Sequence, residues 1–514
     1  MSGEAKSIQT AGPDPRDLKI QEQSRTIAEL TAQVKELKEN SAKLSEKLAK
    51  LEALLASQAE AKSAKTPVFT ENYSADRNKT NEKKTPKKST GRKPAEAKRD
   101  QVTDTIKVFA DGVDPAECIH HRSQLAWRID DGKASYVCYD IYDLPDSTDL
   151  PLPPGLRNNR SEFGIEIILI LGFLHCWVGL SIDNAIATMN FFTGLKLGKS
   201  QADSLLSQLA SDWNEQYDTI AELIALQTIV YIDETGWKVG DKSCYTWIFS
   251  TSMHVLFRCG VSRKKTEATD VLGESFAGIG VTDDYVVYKD MFTEHQLCWA
   301  HLIRKAIKLM LQNPAETEYV EFWDALCLIY HDAKELSKEV AASVEGDRLH
   351  TSEGRQAVIE ELQARITKLC DRREETIITP KAAAKAQPPL EPTAPHVATF
   401  LLLQRELADQ LDCLFVFVEH PEVEPTNNRS ERNARREAEI RKGARTSKTA
   451  TGAKRRSIIV TVFASLQTRF ANFTLANMLA EVERWSTAGV SLFQSELDAM
   501  KANLPPPKQN ASSS

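Results

Sequence analysis

Two pairs of adjacent acidic residues each follow a short apolar segment with the composition of a β-strand. Asp233-Glu234 follows residues 229–232, and Asp283-Asp284 follows residues 278–282. One such pair means little, because aspartate favours the turns in which strands end. If the two strands are parallel neighbours, however, both pairs lie at one edge of a sheet, where close carboxylates repel each other unless a cation lies between them. Carboxylate oxygens suit Mg²⁺ or Mn²⁺, so the repeated pattern indicates a divalent metal site.

A third acid, Glu431, lies in a strongly basic segment. Asn428 and Glu431 have the spacing of a helix capping box, and that spacing alone favours a structural role for the glutamate. Residues 429–456, however, contain eleven Lys and Arg residues against three Glu residues. Such a one-sided positive charge favours contact with a polyanion next to a metal site.

The elements that must position these acids can be outlined from the hydrophobic pattern. Residues 157–226 are helical in pattern, and residues 180–213 fit either a DNA-reading helix-turn-helix or a helix pair that serves as scaffold. Strands are predicted from residue 227 onwards, at 229–232, 244–251, 254–259, 278–282 and 295–299, with a helix at 266–276. Residues 302–410 are mostly helical in pattern, with a Pro- and Ala-rich loop at 380–395.

The segment before residue 106 has two unlike parts. Residues 17–58 carry a heptad pattern, which predicts a coiled coil and self-association, although a helix folded back on its own domain has the same pattern. The apolar positions of this pattern are Ile27, Leu30, Val34, Leu37, Leu44, Leu48, Leu51 and Leu55. Residues 60–105 lose this apolar content and hold nine Lys and Arg residues against two Glu residues between Lys79 and Arg99. This composition predicts a disordered basic tether that contacts phosphates without sequence preference, or a solubilising linker.

Residues 106–150 form a small unit with an incomplete set of zinc ligands. They contain Cys118-x-x-His121 and a lone Cys138. A zinc ribbon needs four ligands, usually in two close pairs. Because the second pair lacks a member, the sequence predicts a degenerate ribbon-like unit without zinc.

Composition excludes several classes of protein. The chain of 514 residues is 41% hydrophobic and 27% charged, which excludes wholesale disorder. Its nine cysteines are odd in number and scattered, as expected for reduced thiols in the cytoplasm. The start of the chain is polar, and the longest apolar run, residues 165–180, carries Glu166 and His175 and is too short to span a bilayer comfortably. We therefore expect a soluble cytoplasmic protein with no membrane partner.

Four motifs occur in a fixed order and give the chain a family resemblance. They are YIDETGW at 231–237, TDDY at 282–285, QLCWAH at 296–301 followed by Arg304 and Lys305, and NNRSER at 427–432. Together, over roughly residues 155–485, they resemble the DDE transposases of the insertion-sequence-66 family, enzymes of bacteria and archaea. The resemblance implies an α/β ribonuclease-H-like catalytic domain, a mixed five-stranded sheet with helices, formed by residues 227–301 and 411–485. Residues 302–410 are then a helical insertion, and residues 486–514 a C-terminal tail.

The resemblance also implies roles for individual residues. Asp233, Asp283 and Glu431 would be the catalytic acids and would hold two Mg²⁺ (or Mn²⁺) ions. Asp284 stands where the family typically has glycine, which leaves both aspartates of that pair as candidates for the metal ligand. The residues expected to contact DNA phosphates are Arg429, Arg432, Arg435, Arg436, Arg441, Lys442 and His301. Helix capping is a simpler role for His301, and ion pairing with Glu431 is one for Arg435.

The implied activity is cleavage of DNA at the ends of the protein's own mobile element and joining of those ends to other DNA. The implied partners are the double-stranded element ends, the target DNA, a second copy of the chain through the coiled coil, and accessory proteins of the same element, at the nucleoid in the cytoplasm of a prokaryote. Two other classes stay open. A non-catalytic DNA-binding protein derived from a transposase would keep the basic segments without metal-dependent cleavage, and a structural protein assembled by the coiled coil would bind no DNA without residues 1–58.

Overall fold

The computed structural model describes residues 100–385 and 390–503. The predicted coiled coil at 17–58 and most of the predicted basic tether at 60–105 lie outside these residues, so both stay predictions. Within the described residues, no helix combines the length and the apolar character that crossing a membrane requires.

Strands are grouped in two parts of the described chain, and helices connect and follow them. The strands are β1 (Asp104–Phe109), β2 (Ile119–Asp130), β3 (Lys133–Asp143), β4 (Ile229–Val239), β5 (Lys242–Ser250), β6 (Val255–Val261), β7 (Phe276–Thr282) and β8 (Phe292–Leu297). The helices are α1 (Ile165–Gly172), α2 (Ile182–Thr193), α3 (Lys199–Asp212), α4 (Asn214–Ala225), α5 (Thr266–Leu272), α6 (Trp299–Gln312), α7 (Thr317–Ala342), α8 (Ser352–Leu369), α9 (Pro380–Lys385), α10 (Pro395–Asp409), α11 (Val416–Glu419), α12 (Asn428–Lys442), α13 (Ala450–Arg469), α14 (Leu475–Ala488) and α15 (Leu492–Ala502). A π-helical turn lies at Phe173–Trp177, and 3₁₀ turns lie at Val286–Tyr288, Arg348–His350 and Leu411–Cys413.

The first three strands form a small sheet in the order β1-β3-β2, with β1 parallel and β2 antiparallel to β3. The residues expected of a degenerate zinc ribbon make separate contacts in it. The thiol of Cys118 lies 3.5 Å from the carbonyl oxygen of Asp114, and Nε2 of His121 lies 2.9 Å from the carbonyl oxygen of Leu144. Cys138 is buried in the middle of β3. In this unit the three side chains therefore serve different neighbours.

The larger sheet has five strands in the order β6-β5-β4-β7-β8. β4, β5 and β6 form an antiparallel meander, whereas β7 pairs parallel to β4 and β8 parallel to β7. The predicted mixed five-stranded sheet of an α/β domain is therefore observed. β4 continues past its predicted end at residue 232, because β5 pairs along it as far as Val239 and Lys242. α5, predicted to reach residue 276, ends at Leu272 because Gly273 leaves the helix with a φ of +83°.

Alternation along β4 divides the core into two parts. Val230 and Ile232 face α1–α4 and α13, whereas Tyr231 faces α6, α7, α8 and α10. Because side chains alternate between the two faces of a strand, Asp233 lies on the face of Tyr231 and Glu234 on that of Ile232. The helical insertion therefore covers the face of the sheet from which Asp233 projects.

The insertion is built around a tryptophan at its first residue. α6 begins at Trp299, three residues before the predicted boundary. The indole ring of Trp299 is fully buried, stacks on Tyr330 of α7 with ring centroids 5.0 Å apart, and donates its N–H to the carbonyl oxygen of Leu414 at 2.6 Å. α9 lies within the predicted Pro- and Ala-rich loop. These contacts anchor the insertion directly beside the end of β8.

The helices of the predicted helix-turn-helix pack into the core on the other face of the sheet. α2 ends at Gly194, whose φ of +76° is the left-handed conformation that glycine favours at a helix end. α3 packs against α1, α2 and α13. Its buried residues are Ala202, Leu205, Leu206, Leu209 and Ala210. The pair has a scaffold role in the fold, and DNA reading by it stays a prediction.

The segment predicted as a C-terminal tail contains a packed helix. α15 contacts α4, and its Phe493 and Leu497 side chains are buried. Nζ of Lys501 lies 2.9 Å from a carboxylate oxygen of Glu222. The four-residue spacing of Phe493 and Leu497 is typical of one face of a helix, and the prediction of a tail did not take this spacing into account.

The outer edge of β6 is covered by hydroxyl groups of α13. The backbone N–H groups of three β6 residues donate to three side-chain oxygens, pairing Val255 with Ser465, Phe257 with Thr461 and Cys259 with Ser457 at 3.0, 2.9 and 2.9 Å. The spacings match, because four helical residues rise about 6.0 Å and two strand residues about 6.7 Å. These three hydroxyl groups, the hydroxyl ladder, satisfy donors that an edge strand would otherwise leave open.

Thr461→Val keeps the shape of the central side chain of the hydroxyl ladder but removes its oxygen. We expect the free energy of unfolding to fall by about 1–3 kcal/mol, because the N–H of Phe257 then stays buried without an acceptor. Urea unfolding followed by circular dichroism measures the loss. Thr399 is an exposed residue of α10 whose hydroxyl bonds only within its own helix, so Thr399→Val should change stability by less than about 0.5 kcal/mol. Equal losses in the two variants would contradict a role for the ladder.

Candidate active site

Parallel pairing places Asp233 and Asp283 at the same edge of the larger sheet. The register of β4 and β7 aligns Tyr231 with Val281, and each aspartate lies two residues beyond its member of that pair. From this point β4 continues only beside β5, where Asp233 pairs with Ile248. The two aspartates therefore lie where the parallel pairing ends and the sheet opens.

Asp233 is surrounded by other acidic groups. Its Oδ1 accepts the backbone N–H of Glu234 at 2.9 Å. Burial, and then the charges of Glu234, Asp283 and Glu431, raise the pKa of Asp233 to about 8. Within the described part of the chain, neither Asp233 nor Asp283 forms an ion pair with Lys, Arg or His. Carboxyl groups in such a position ionise together when a cation lies among them.

Asp283 is held by a chain of hydrogen bonds that starts on β8. Burial lowers the pKa of His295 to about 4, so that its imidazole is neutral near pH 7. Its Nε2 lies 2.8 Å from the hydroxyl oxygen of Thr282, and this hydroxyl donates to the carbonyl oxygen of Asp283 at 2.7 Å. The backbone N–H of Tyr285 donates to Oδ1 of Asp283 at 3.2 Å. The backbone of Asp283 is therefore oriented from β8 through Thr282, and its carboxylate is oriented from its own loop.

Asp283 and Asp284 serve different neighbours. Asp283 lies beside Asp233 at the end of the parallel pairing of β4 and β7, and its charge contributes to the raised pKa of Asp233. Asp284 is exposed, accepts a hydrogen bond from the amide of Gln410 and lies 3.9 Å from Nζ of Lys305. Asp283 thus faces the other acids, and Asp284 faces the helical insertion.

The position of Glu431, in the first turn of α12, is set by two hydrogen bonds from this turn to β4. Nδ2 of Asn427 donates to the carbonyl oxygen of Ile232 at 2.6 Å, and the hydroxyl of Ser430 donates to the carbonyl oxygen of Tyr231 at 2.7 Å. Asn427 and Ser430 are only 1% and 0% exposed. They fix the start of α12 on the strand residues that immediately precede the first acidic pair.

The side chain of Glu431 turns away from the helix cap that its spacing suggested. The cap residue of α12 is Asn427 rather than Asn428, and it makes no side-chain capping hydrogen bond. The carboxylate of Glu431 instead accepts two hydrogen bonds from Nη2 of Arg304, at 2.8 and 3.0 Å. Its negative charge also contributes to the raised pKa of Asp233. Glu431 therefore belongs to the same acidic group as the two aspartates.

The start of α6 brings two further side chains to Glu431. Nδ1 of His301 lies 3.4 Å from Oε1 of Glu431, and Sγ of Cys298 lies 3.7 Å from the same oxygen. Burial and the nearby charge of Arg304 lower the pKa of His301. His301 is thus a neighbour of the third acid, and its predicted contact with DNA stays a prediction.

Glu234, the second acid of the first pair, is buried and serves a structural role. Its side chain is 2% exposed and accepts hydrogen bonds from Nε and Nη2 of Arg263 at 3.0 and 2.6 Å. The hydroxyl of Tyr288 donates to its other oxygen at 2.5 Å. The guanidinium of Arg263 also stacks on Tyr285, 3.8 Å from the ring centroid. Glu234 therefore fastens the loop after β7 from the opposite face of β4.

The model of the transposase IS66 family matches residues 173–455, which make up more than half of the chain and include all three acids. The chain belongs to the IS66 transposase family. A comparison with curated protein sequences finds no match. Membership confirms the family resemblance and gives the chain a transposase-related function, with DNA processing, DNA binding and the use of divalent metal ions as its general properties.

In this IS66-family chain, the basic residues predicted to contact DNA fall into two groups. Arg432, Arg435 and Lys442 are exposed on α12. The others make contacts within the fold: Arg429 with Glu424 and the ring of Tyr231, Arg436 with the ring of Trp177 at 3.6 Å from its centroid, and Arg441 with the carbonyl oxygen of Gly236 at 3.0 Å. Burial lowers the pKa of Arg436 to about 10, which still leaves it charged near pH 7. The exposed group is the one that a DNA backbone can reach.

Four side chains that shape this IS66-family site carried no individual assignment in the sequence, namely Cys298, Arg304, Asn427 and Ser430. A signal for them was present. Arg304 follows His301 by three residues and Ser430 follows Asn427 by three, and this spacing places both members of each pair on one side of a helix. The missing information was which strand each helix start would meet.

Proposed function

We propose that the chain is a DDE transposase of a prokaryotic insertion sequence, which cleaves DNA at the ends of its element and joins those ends to target DNA with Mg²⁺ or Mn²⁺. The observation that carries the proposal is the convergence of three acids that are remote in sequence. Parallel pairing of β4 and β7 brings Asp233 and Asp283 to one edge of the sheet, and the hydrogen bonds of Asn427 and Ser430 to β4 bring Glu431 to the same edge. A protein whose role was assembly alone would have no need of a buried acidic group of this kind.

The strand order supports a ribonuclease-H-like catalytic domain. An antiparallel meander of three strands followed by two parallel strands, in the order β6-β5-β4-β7-β8, is the arrangement expected of that fold. α12 packs on β4 after the insertion and delivers Glu431 to the site. In this proposal the catalytic domain comprises β4–β8 with α12 and α13, and α6–α10 are the insertion.

The three carboxylates have the chemistry that hard divalent cations require. They offer oxygen ligands, and the two aspartates have no ion-pair partner within the described residues. Asp233, Asp283 and Glu431 would hold the ions, and Asp284 would stay outside the set because it contacts Gln410. When bound, two Mg²⁺ ions supply Lewis acidity that activates the attacking oxygen and stabilises the leaving oxygen at phosphorus.

The remaining residues of the site position the substrate. Arg432, Arg435 and Lys442 would hold the phosphate backbone through charge, without reading sequence. Arg304, whose side chain is 53% exposed, would release the carboxylate of Glu431 and turn toward phosphate when the site is filled. No serine or tyrosine nucleophile is needed, because water and then a DNA 3′-hydroxyl attack phosphorus directly.

The ion pair between Arg304 and Glu431 favours a second candidate function. With both hydrogen bonds of Arg304 directed to Glu431, the third acid is already neutralised without metal. A transposase-derived protein that binds DNA without cutting it would keep such a pair permanently. The two candidates differ in metal-dependent cleavage.

A strand-transfer assay tests the proposal. The substrate is linear DNA carrying the sequences that flank the coding region in its genome, and the target is a supercoiled plasmid. We expect cleavage and joining in Mg²⁺ or Mn²⁺ and none in EDTA or Ca²⁺, with gel-shift binding retained in Ca²⁺. Binding without cleavage in every metal would support the non-catalytic candidate. Cleavage without joining would assign a nuclease on the same fold.

A further inference from the structure

Cys298, His301 and Glu431 form a cluster of side chains that could each donate one ligand atom to a metal ion. One such atom from each side chain lies within 4.8 Å of the other two. The measured separations are 3.7 Å from Sγ of Cys298 to Oε1 of Glu431 and 3.4 Å from Nδ1 of His301 to the same oxygen. The donor set of sulfur, nitrogen and oxygen differs from the all-oxygen set of the three acids and suits a softer cation.

These separations match those of a tetrahedral zinc site. Zinc bonds are about 2.3 Å to sulfur and about 2.05 Å to nitrogen and oxygen, which puts tetrahedral ligand atoms about 3.4 Å (N to O) and about 3.6 Å (S to O) apart. The observed 3.4 and 3.7 Å agree with these values, and Cys298 and His301 offer ligand atoms within 4.8 Å of each other. Three protein ligands would leave the fourth position to water.

The chain holds a second Cys-x-x-His motif that shows why this one converges. Cys118 and His121 have the same spacing, but β2 begins between them at Ile119 and carries His121 away to Leu144. Cys298 instead caps α6 and His301 lies in its first turn, so that both side chains project on the side of Glu431. The Cys-x-x-His spacing brings its two side chains together when the backbone is helical, and not when it is extended.

The histidine nitrogen and the cysteine sulfur of the cluster are available as ligands, whereas the oxygens of Glu431 are held by Arg304. Nδ1 of His301 is buried and has no hydrogen-bond partner within the described residues. Sγ of Cys298 accepts the backbone N–H of Asn427 at 3.2 Å, an interaction that a thiolate would strengthen. Arg304 is the group that must move, and its side chain is half exposed.

We propose that Cys298, His301 and Glu431 bind Zn²⁺. Binding forms one bond each from Sγ, Nδ1 and a carboxylate oxygen to the ion, the thiol proton passes to solvent, and Arg304 gives up its two hydrogen bonds to Glu431. No electron is transferred. Because a bound zinc ion takes Glu431, the acid set for Mg²⁺ is incomplete while it is present. That consequence, inhibition of strand cleavage by zinc, rests on the proposed function, whereas zinc binding itself does not.

Cobalt(II) provides a direct probe, since thiolate-bound four-coordinate Co²⁺ has a charge-transfer band and intense visible bands. The full-length protein is freed of metal, reduced and titrated with Co²⁺, and Zn²⁺ is then added in competition. We expect the thiolate charge-transfer band to saturate at one equivalent of Co²⁺ and to disappear when Zn²⁺ is added. In Cys298→Ser the affinity for Co²⁺ should fall by at least about 10-fold. Cys118→Ser is the matched control from the other motif and should keep the band.

Glu431→Gln supplies a second variant in which the thiol is intact. It should keep the charge-transfer band but bind Co²⁺ at least about 10-fold more weakly, because one charged ligand is lost. Circular dichroism and the melting temperature establish that each variant is folded. No thiolate band in the wild type, or an unchanged band and affinity in Cys298→Ser, would overturn the proposal. A strand-transfer assay with added zinc is then run on the wild type and on Cys298→Ser, which keeps all three acids. Each rate is read as a ratio to the same protein's zinc-free rate, so that loss of inhibition is separable from loss of catalysis.

Discussion

Replacing Asp233 with asparagine is expected to slow strand cleavage and joining by at least about 10³-fold while making the metal-free protein more stable. The carboxylate is the acid on which the charges of Glu234, Asp283 and Glu431 all act, and it has no cationic partner within the described residues. Asparagine keeps the shape and the hydrogen bond from the backbone N–H of Glu234 but offers a metal ion no negative charge. DNA binding should persist, because the exposed basic residues of α12 are untouched.

The gain in stability follows from proton linkage. Burial and the neighbouring acids raise the pKa of Asp233 from 3.8 to about 8 on folding. The stability that the protonated side chain contributes is therefore complete below about pH 4 and is lost as the pH rises to about 8. Asparagine does not titrate. In EDTA the melting temperature of Asp233→Asn should exceed that of the wild type at pH 8, and the difference should shrink toward pH 4.

The combination separates a catalytic from a structural role. An inactive variant that is less stable than the wild type at pH 8 would point to damaged folding instead of a missing ligand. Asp284→Asn is the matched control, because Asp284 is an exposed neighbour of the second acid that contacts Gln410. It should retain strand transfer within about a factor of a few of the wild type. If Asp284→Asn were inactive and Asp283→Asn active, the metal ligand would be the other aspartate of the pair.

Arg456→Met should lower the free energy of unfolding by about 3–5 kcal/mol, the largest stability effect that we expect from a single substitution. Arg456 on α13 donates to Glu437 on α12 through Nε and Nη2 at 2.9 and 2.7 Å, and the glutamate is fully buried. Without the guanidinium, the carboxylate of Glu437 stays in the core and loses both of these charge-assisted hydrogen bonds. Urea unfolding of the variant and the wild type at pH 7 measures the difference.

Two further variants define what the pair contributes. Arg365 pairs with Asp332 at the surface, where the two side chains are 36% and 37% exposed, so Arg365→Met should cost at most about 1 kcal/mol. The double variant Glu437→Leu with Arg456→Met should be more stable than Arg456→Met alone, because it removes the orphaned charge. A double variant less stable than the single one would mean that the pair itself, and not the unpaired charge, dominates.

The sequence was most informative where a local pattern coincides with a strand or a helix face. The expectation that both aspartates lie at one edge of the sheet depended on parallel pairing of their strands, and β4 and β7 do pair in parallel. The length of β4 could not be read, since residues 233–239 are extended only through their pairing with β5. The apolar spacing of Phe493 and Leu497 was present but lay in a segment named a tail.

The environment of each charged residue needed tertiary structure. Asn428 and Glu431 had the spacing of a capping box, yet Asn427 and Ser430 bind backbone carbonyl groups of β4, which turns the glutamate into the site. Seven basic residues looked alike in sequence as contacts for DNA. Arg436 instead lies over Trp177, because its helix face meets the core, while Arg432 stays exposed. Charge runs reveal the net field but not which side of a helix will be covered.

The hydroxyl ladder on β6 has a consequence for how the protein aggregates when it is heated. The helix that carries it is joined to the outer edge of β6 through these three hydroxyl groups and the apolar contacts around them, and the hydroxyl of Tyr217 on α4 donates to the carbonyl oxygen of Phe257 at the same edge. A molecule in which α13 detaches before the sheet melts would expose a row of open backbone donors on a mostly apolar edge strand, which is a template for intermolecular β-aggregation. Irreversible precipitation is then set by the detachment of one helix, and not by the melting of the whole domain.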